Sequence, residues 1–200
     1  MAISSDAPAK SAAVRVYLTP PDAGAQREFL RLVRDSRKLH GRFATPPATA
    51  RAFAAYTARC AQPDFCSRWV RSREDDSLVG VYNISQIFYG GFQSAYLGYY
   101  AFAPGAGRGL MSAGLRLLLR QIFAPRRSPH AGSQGLGLHR IEANIQPDNQ
   151  ASIALVRACG FTQEGLSPRY LKIAGRWRDH ARFALLREDY QAAQRAQKNR

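Results

Sequence analysis

The 200-residue sequence predicts a single α+β domain, a mostly antiparallel sheet flanked by helices. Two observations carry that reading. Segments alternating apolar and polar residues with period two are interleaved with segments whose apolar residues recur with the helical period. Pairs of alternating segments are separated by short polar turns, as in hairpins, and no stretch repeats another. Length agrees, since 200 residues suit one domain. A chain of this size buries roughly 70% of its unfolded surface, so its core needs no disulfide or metal. Apolar residues make up 46% and charged residues 22%, a globular composition rather than a disordered one.

Residues 1–12 are small and polar and read as a flexible tail. VRVYLT (14–19) alternates as a strand, and the prolines at 20–21 end it. From Asp22 a helical pattern sets Phe29, Leu30, Leu32, Val33 and Leu39 on one broad apolar face. A second helix is expected from about Ala48 to Cys60. WVRS (69–72) and LVGVYNIS (78–85) read as a hairpin around the acidic turn REDDS, and AYLGYYAF (95–102) is the most aromatic strand. PGAGRG (104–109) opens a helix with Leu110, Met111, Leu115, Leu118, Leu119 and Ile122 on one face. Pro, Gly and Ser mark 124–137 as an exposed loop, and LHRIEANI (138–145) returns as a strand with Ile141, Ala143 and Ile145 on one face. PDNQASIALVRACGF (147–161) reads as a helix capped by Asn149 or Asp148 and stopped at Gly160. YLKIAG, WRDH and ARFALL make a late hairpin, and REDYQAAQRAQKNR is a polar helix or a frayed tail. The domain is thus placed at 13–190, with a basic polar tail at 191–200.

Charge is the compositional outlier: 29 Lys+Arg against 14 Asp+Glu give a net +15. Such a surface attracts nucleic acid, ribosomes or acidic proteins, but it says nothing about the fold. Cys60, Cys66 and Cys159 are odd in number and form no ligand spacing with the four histidines, so neither a disulfide scaffold nor a metal site is expected. No apolar stretch approaches the ~18–20 residues that span a bilayer. The start MAISSDAPAK lacks the apolar core of a signal peptide. A cytoplasmic protein without a membrane partner is expected.

Gly105, Gly107 and Gly109 lie between a strand and a helix. Glycines there let the backbone approach an anion, and the unpaired amides of the first helical turn supply donors. A dinucleotide fingerprint would need a glycine where Leu110 stands, and a Walker A loop would need Gly-Lys-Ser/Thr. A plain structural turn competes with pyrophosphate binding, and Arg108 inside the loop favours the latter. GRGLM, LHRIEAN, PDNQAS, CGFTQEG and YLKIAGRWRDH together resemble the GNAT superfamily of N-acetyltransferases, and within it the RimJ/RimL group that includes ribosomal-protein-alanine acetyltransferases. The likeness spans about residues 14 to 190.

The resemblance implies a mixed central sheet splayed into a V, with acetyl-CoA lying in the splay. Pantetheine would pair with the strand around Tyr100, Ala101 and Phe102, and pyrophosphate would meet the amides of Gly107, Arg108, Gly109, Leu110 and Met111. Asn149 would bind pantetheine in the family pattern, or serve as a plain N-cap, or both. Many members protonate the leaving thiolate with a Tyr that corresponds here to Val156. Ser152 resembles the serine that the RimJ/RimL group places near the sulfur, where it donates a proton or a hydrogen bond; its alternative is a part in helix capping. Some relatives carry a general-base Glu at the position of Asn144, and Glu142 on the same strand face is a substitute. Deprotonation through water is the other route, since a terminal amine has a pKa of about 7.7–8.0. The family's Gln or Arg at the head of the phosphate loop is Ala106 here. Asp179 and His180, as neighbours on a strand, point to opposite faces and make no dyad.

These features predict an acetyltransferase acting on a protein N-terminal α-amine, a ribosomal protein foremost, with weak ribosome or nucleic-acid association through the basic surface. Two alternatives are a transferase for a small amine (amino acid, polyamine or antibiotic) and a noncatalytic basic module that binds RNA or ribosomes. No aromatic RNA-recognition pattern supports the last.

Overall fold

The computed structural model describes residues 15–126 and 135–199. Its strands are β1 (Val16–Thr19), β2 (Phe65–Ser72), β3 (Leu78–Phe88), β4 (Ser94–Ala101), β5 (Arg140–Ile145), β6 (Thr162–Ile173) and β7 (Arg176–Leu186). They form one sheet in the order β1-β2-β3-β4-β5-β7-β6. The helices are α1 (Gln26–Asp35), α2 (Arg37–His40), α3 (Ala50–Arg59), α4 (Leu110–Phe123), α5 (Gln150–Arg157) and α6 (Arg187–Lys198). The sheet is mixed and mostly antiparallel, as expected; β4 and β5 alone run parallel.

Period-two alternation gives the sheet two apolar faces and therefore two cores. On one face α4 and α5 bury Leu115, Leu118, Ile122 and Val156 against Tyr82, Leu97 and Ile141. On the other, α1 and α3 bury Phe29, Leu32 and Phe53 against Trp69, Val81 and Phe102. Phe29 is the hub of that second core, with ring centroids 4.9 Å from Phe53, 5.5 Å from Trp69 and 5.6 Å from Phe102. In β4, Tyr99 and Ala101 serve the first core while Tyr100 and Phe102 serve the second.

The splay is visible in the register. β4 pairs with β5 only from Ser94 to Tyr96, against Arg140 to Glu142. Beyond that β4 continues beside β3 alone, to Ala101. Phe102 N–H donates to Val79 C=O at 2.7 Å. Alternation then turns the backbone of Tyr100 towards β3, and that of Tyr99 and Ala101 into the opening.

Several elements depart in detail from the sequence expectation. The helix expected from Asp22 is three pieces: a turn of 3-10 helix at Ala23–Ala25 capped by Asp22, then α1 and α2. The break falls at the fully buried Ser36, whose Oγ accepts the Ala103 N–H at 2.9 Å. Leu39 is not on the core face but 45% exposed, and its neighbour His40 takes the buried position in phase with Phe29. The late segments merge into two long strands, β6 and β7, which turn at Ala174–Gly175 with positive φ at both. Asn149, not Asp148, caps α5, and Asp148 pairs with Arg42. The polar C-terminal segment is the helix α6. Of the loop expected at 124–137, residues 127–134 lie outside the described residues, as do 1–14 and 200.

Candidate active site

The splay opens into a cleft of about 490 Å³. One wall is the glycine turn with the starts of α4 and α5, contributing Gly107, Gly109, Met111, Asn149 and Ser152. The opposite wall is α2 and the segment after it, with Leu39, His40, Phe43 and Ala44. Tyr99, Tyr100 and Ala101 of β4 form the floor between them. Among the described residues, no carboxylate lines this cleft.

The glycine turn is built for close approach. Gly107 and Gly109 have φ of +72° and +73°, and the latter caps α4 in the left-handed conformation without a side-chain hydrogen bond. A β-carbon added at either would meet nothing within 4 Å, so the turn faces open space. The first-turn amides of α4 have no intrahelical acceptor, and with the helix dipole they form an anion-binding end. Arg108 stands beside this end, with Nη2 2.9 Å from Glu74 Oε2. Both side chains are well exposed, and such a pair is worth about 0–1 kcal/mol, little enough for a phosphate to displace. Ala106 contributes only a small lining surface.

Asn149 Oδ1 accepts the Ser152 N–H at 3.2 Å. The cap thus uses the amide of Ser152 and leaves its hydroxyl on the cleft wall beside the Tyr99 phenol, and the Asn149 amide nitrogen remains as a donor. Tyr99, across the cleft floor, donates its hydroxyl to Ser152 C=O at 3.2 Å. Burial holds the Tyr99 phenol far above its ordinary value, so it stays protonated. Val156, where many relatives have Tyr, is fully buried in the core.

The expected base residues stand apart. Glu142 and Asn144 do not line the cleft. Glu142 accepts from Arg140 Nε at 2.7 Å, and the same guanidinium holds Glu164. Asn144 Oδ1 is buried with no hydrogen-bond partner. Asp179 accepts the Arg169 N–H at 2.7 Å and His180 is buried beside Tyr170, so the two do not act together.

Two cleft residues escaped sequence reasoning. Tyr99 was one position outside the strand segment assigned to pantetheine, although its alternation with Tyr100 was readable. His40 carried no signal: it looks like one polar residue at a helix end. In the fold its Nε2 lies 2.9 Å from Ala101 C=O and its ring stands edge-on to Tyr100, with centroids 5.6 Å apart. Burial lowers its pKa, and the Ala101 hydrogen bond opposes that shift.

A strand whose backbone is bared by a splay, leading into a glycine-rich helix start, is the plan of an enzyme that lays an acyl carrier along a sheet. Residues 15–162 match the acetyltransferase (GNAT) domain family, and the chain belongs to it: it is a GNAT N-acetyltransferase. It is 28% identical over 182 residues to a probable N-acetyltransferase, YjcK, of Bacillus subtilis (strain 168), covering 87% of this chain and 95% of that one. It is 36% identical over 117 residues to the ribosomal protein uS5-alanine N-acetyltransferase of Escherichia coli (strain K12), covering 58% of this chain and 55% of that relative. Its fold is shared with Mycobacterium smegmatis RimJ in complex with CoA-disulfide, with a TM-score of 0.74 at 24% identity over 90% of each chain. It is also shared with a Vibrio cholerae spermidine N-acetyltransferase in complex with CoA and spermine, with a TM-score of 0.71 at 19% identity over 88% of this chain and 98% of that one. Among the described residues, no helix is long and apolar enough to cross a membrane.

Proposed function

We infer that this enzyme transfers the acetyl group of acetyl-CoA to the N-terminal α-amine of a protein, a ribosomal protein foremost, in the cytoplasm. The cleft suits the cosubstrate. The amides of Gly107, Arg108, Gly109, Leu110 and Met111 would hold pyrophosphate, and the bared backbone at Tyr99 and the Ala101 N–H would pair pantetheine, with Tyr100 and Phe102 fixing the strand. Asn149 would supply an amide donor along the same chain of contacts. When bound, acetyl-CoA supplies a thioester carbonyl activated for attack by an amine. The splay-facing amide of Tyr99 is the strand donor that would polarise it. Ser152, its hydroxyl beside the Tyr99 phenol, would hydrogen-bond the departing sulfur.

The observation that carries the acceptor reading is that, among the described residues, no carboxylate lines the cleft. A polyamine bears several positive charges at neutral pH and needs fixed anions to bind. A terminal α-amine, with a pKa of about 7.7–8.0, is roughly a third neutral near pH 7.5 and carries at most one charge there, so it needs no such cluster. The net charge of +15 supports work near ribosomes, where the polyanion concentrates basic proteins. The small-amine reading draws on the spermidine acetyltransferase neighbours.

The test is a competition of alanine-starting peptides against spermidine, with thiol release and product mass as readouts. Acetylation at the peptide α-amine, with spermidine inert, is expected. Turnover of spermidine alone would replace this reading with the small-amine one.

A further inference from the structure

We propose that His40 is the proton acceptor for the incoming amine, on the cleft wall opposite Ser152. This rests on the acetyltransferase reading above and names a catalytic group that the strand residues do not supply.

The argument starts from the hydrogen bond to Ala101. A carbonyl oxygen can only accept, so Nε2, at 2.9 Å, carries the proton. In the neutral ring the lone pair then sits on Nδ1, which has no partner among the described residues. Few side chains combine those properties: an orientation fixed by the main chain, a free basic nitrogen and a place on the cleft wall. Orientation is fixed twice more, by ring contacts to Tyr100 and Phe102 at 5.6 and 6.2 Å between centroids.

Position agrees with the chemistry. The glycine turn and Ser152 belong to the α4–α5 wall, where the cosubstrate would lie. His40 belongs to the α2 wall, and β4 separates the two. An amine entering on the α2 side meets the thioester across the floor strand, with His40 on its own side. The titratable group that packs against the ring is Tyr100, itself protonated because burial raises its pKa far above the ordinary value. Burial and the Ala101 carbonyl account for the behaviour of the imidazole, with no charged neighbour contributing. The ring is therefore neutral at pH 7 and ready to accept.

The step balances as a group transfer. The amine nitrogen forms a bond to the acetyl carbonyl carbon as the carbon–sulfur bond breaks, and that electron pair leaves with sulfur as thiolate. The proton lost by nitrogen goes to Nδ1 of His40. Solvent protonates the thiolate, directly or relayed through the Ser152 hydroxyl, which takes a proton from water as it gives one, and His40 returns its proton to solvent.

H40Q keeps an amide donor for Ala101 but has no titrating lone pair. It is compared with wild type in three measurements: nitrogen-15 shifts of the imidazole, melting temperature with and without acetyl-CoA, and kcat/KM against pH with an alanine-starting peptide and with spermidine. The proposal expects Nε2–H and bare Nδ1 in wild type and an equal acetyl-CoA shift in both proteins. It also expects kcat/KM about 100-fold lower in H40Q, with the acidic inflection of the imidazole gone. A proton on Nδ1, or an H40Q rate within a few-fold of wild type with an unchanged pH profile, overturns it. Wild type that neither binds acetyl-CoA nor acetylates either acceptor is a different failure: the acetyltransferase reading falls, and the proposal with it, whatever the tautomer.

Discussion

Ser36 Oγ accepts the amide hydrogen of Ala103 at 2.9 Å, across 67 residues of sequence. That bond pins the junction of α1 and α2 to the end of β4, where the floor of the cleft meets the glycine turn.

Ser36→Ala leaves a buried N–H without its acceptor, at a cost of about 1–3 kcal/mol. For a chain of this size each kcal/mol lowers the melting temperature by about 2–4 °C. Calorimetry that finds S36A as stable as wild type would show that the junction is held by packing alone.

Gly109→Ala places a β-carbon on a residue with φ of +73° in open space, so the penalty is conformational and not a clash. It should destabilise the fold by about 1–2 kcal/mol, measured by urea unfolding. The shifted amides should also weaken acetyl-CoA binding by about tenfold or more, measured by titration calorimetry. Unchanged affinity would remove the glycine turn from the proposed phosphate site.

Asn149 has two separable roles. Asn149→Ala should lose both the cap, worth about 1 kcal/mol, and the amide donor. Asn149→Ser should restore the cap and leave the donor missing. The expected pattern is a melting temperature recovered in N149S with the KM for acetyl-CoA still raised. Recovery of both would make the residue a cap and nothing more.

Burial keeps His40 neutral in the folded chain below its ordinary pKa of 6.5, whereas unfolding lets it titrate normally. The unfolded state then binds the extra proton first as pH falls. Stability from this group is complete above 6.5 and is lost as pH drops through the lower folded value. Urea midpoints between pH 7.5 and 5 should fall less steeply in H40Q than in wild type. Parallel curves would mean that the imidazole titrates alike in both states.

The parts of the site legible in the sequence were local ones. Gly107 and Gly109 sit where a strand hands over to a helix, and Asn149 sits three residues before Ser152, so the anion-binding end and the capped helix could be read from spacing. Departures at Val156 and Ala106 were equally plain. The extent of β6 was harder, because TQEGLSPRYLKI has no clean alternation: its register with β7 shifts twice, and Asp179 ties the backbone at Arg169 in the second irregular stretch.

What the sequence determined alone was the alternation of strands and helices, the hairpins, the glycine turn and the kinship of its motifs, because each depends on residues within one element or its immediate flanks. Tertiary structure decided what faces what. Glu164 was drawn to the Arg140 guanidinium, already beside Glu142 on the same face of β5, once β5 and β6 flanked β7. His40 and Ala101, 61 residues apart, met only when α2 folded onto the bared edge of β4. Hydrogen bonds of that reach have no period or spacing to betray them, since they depend on where the packing of two cores leaves a backbone group exposed.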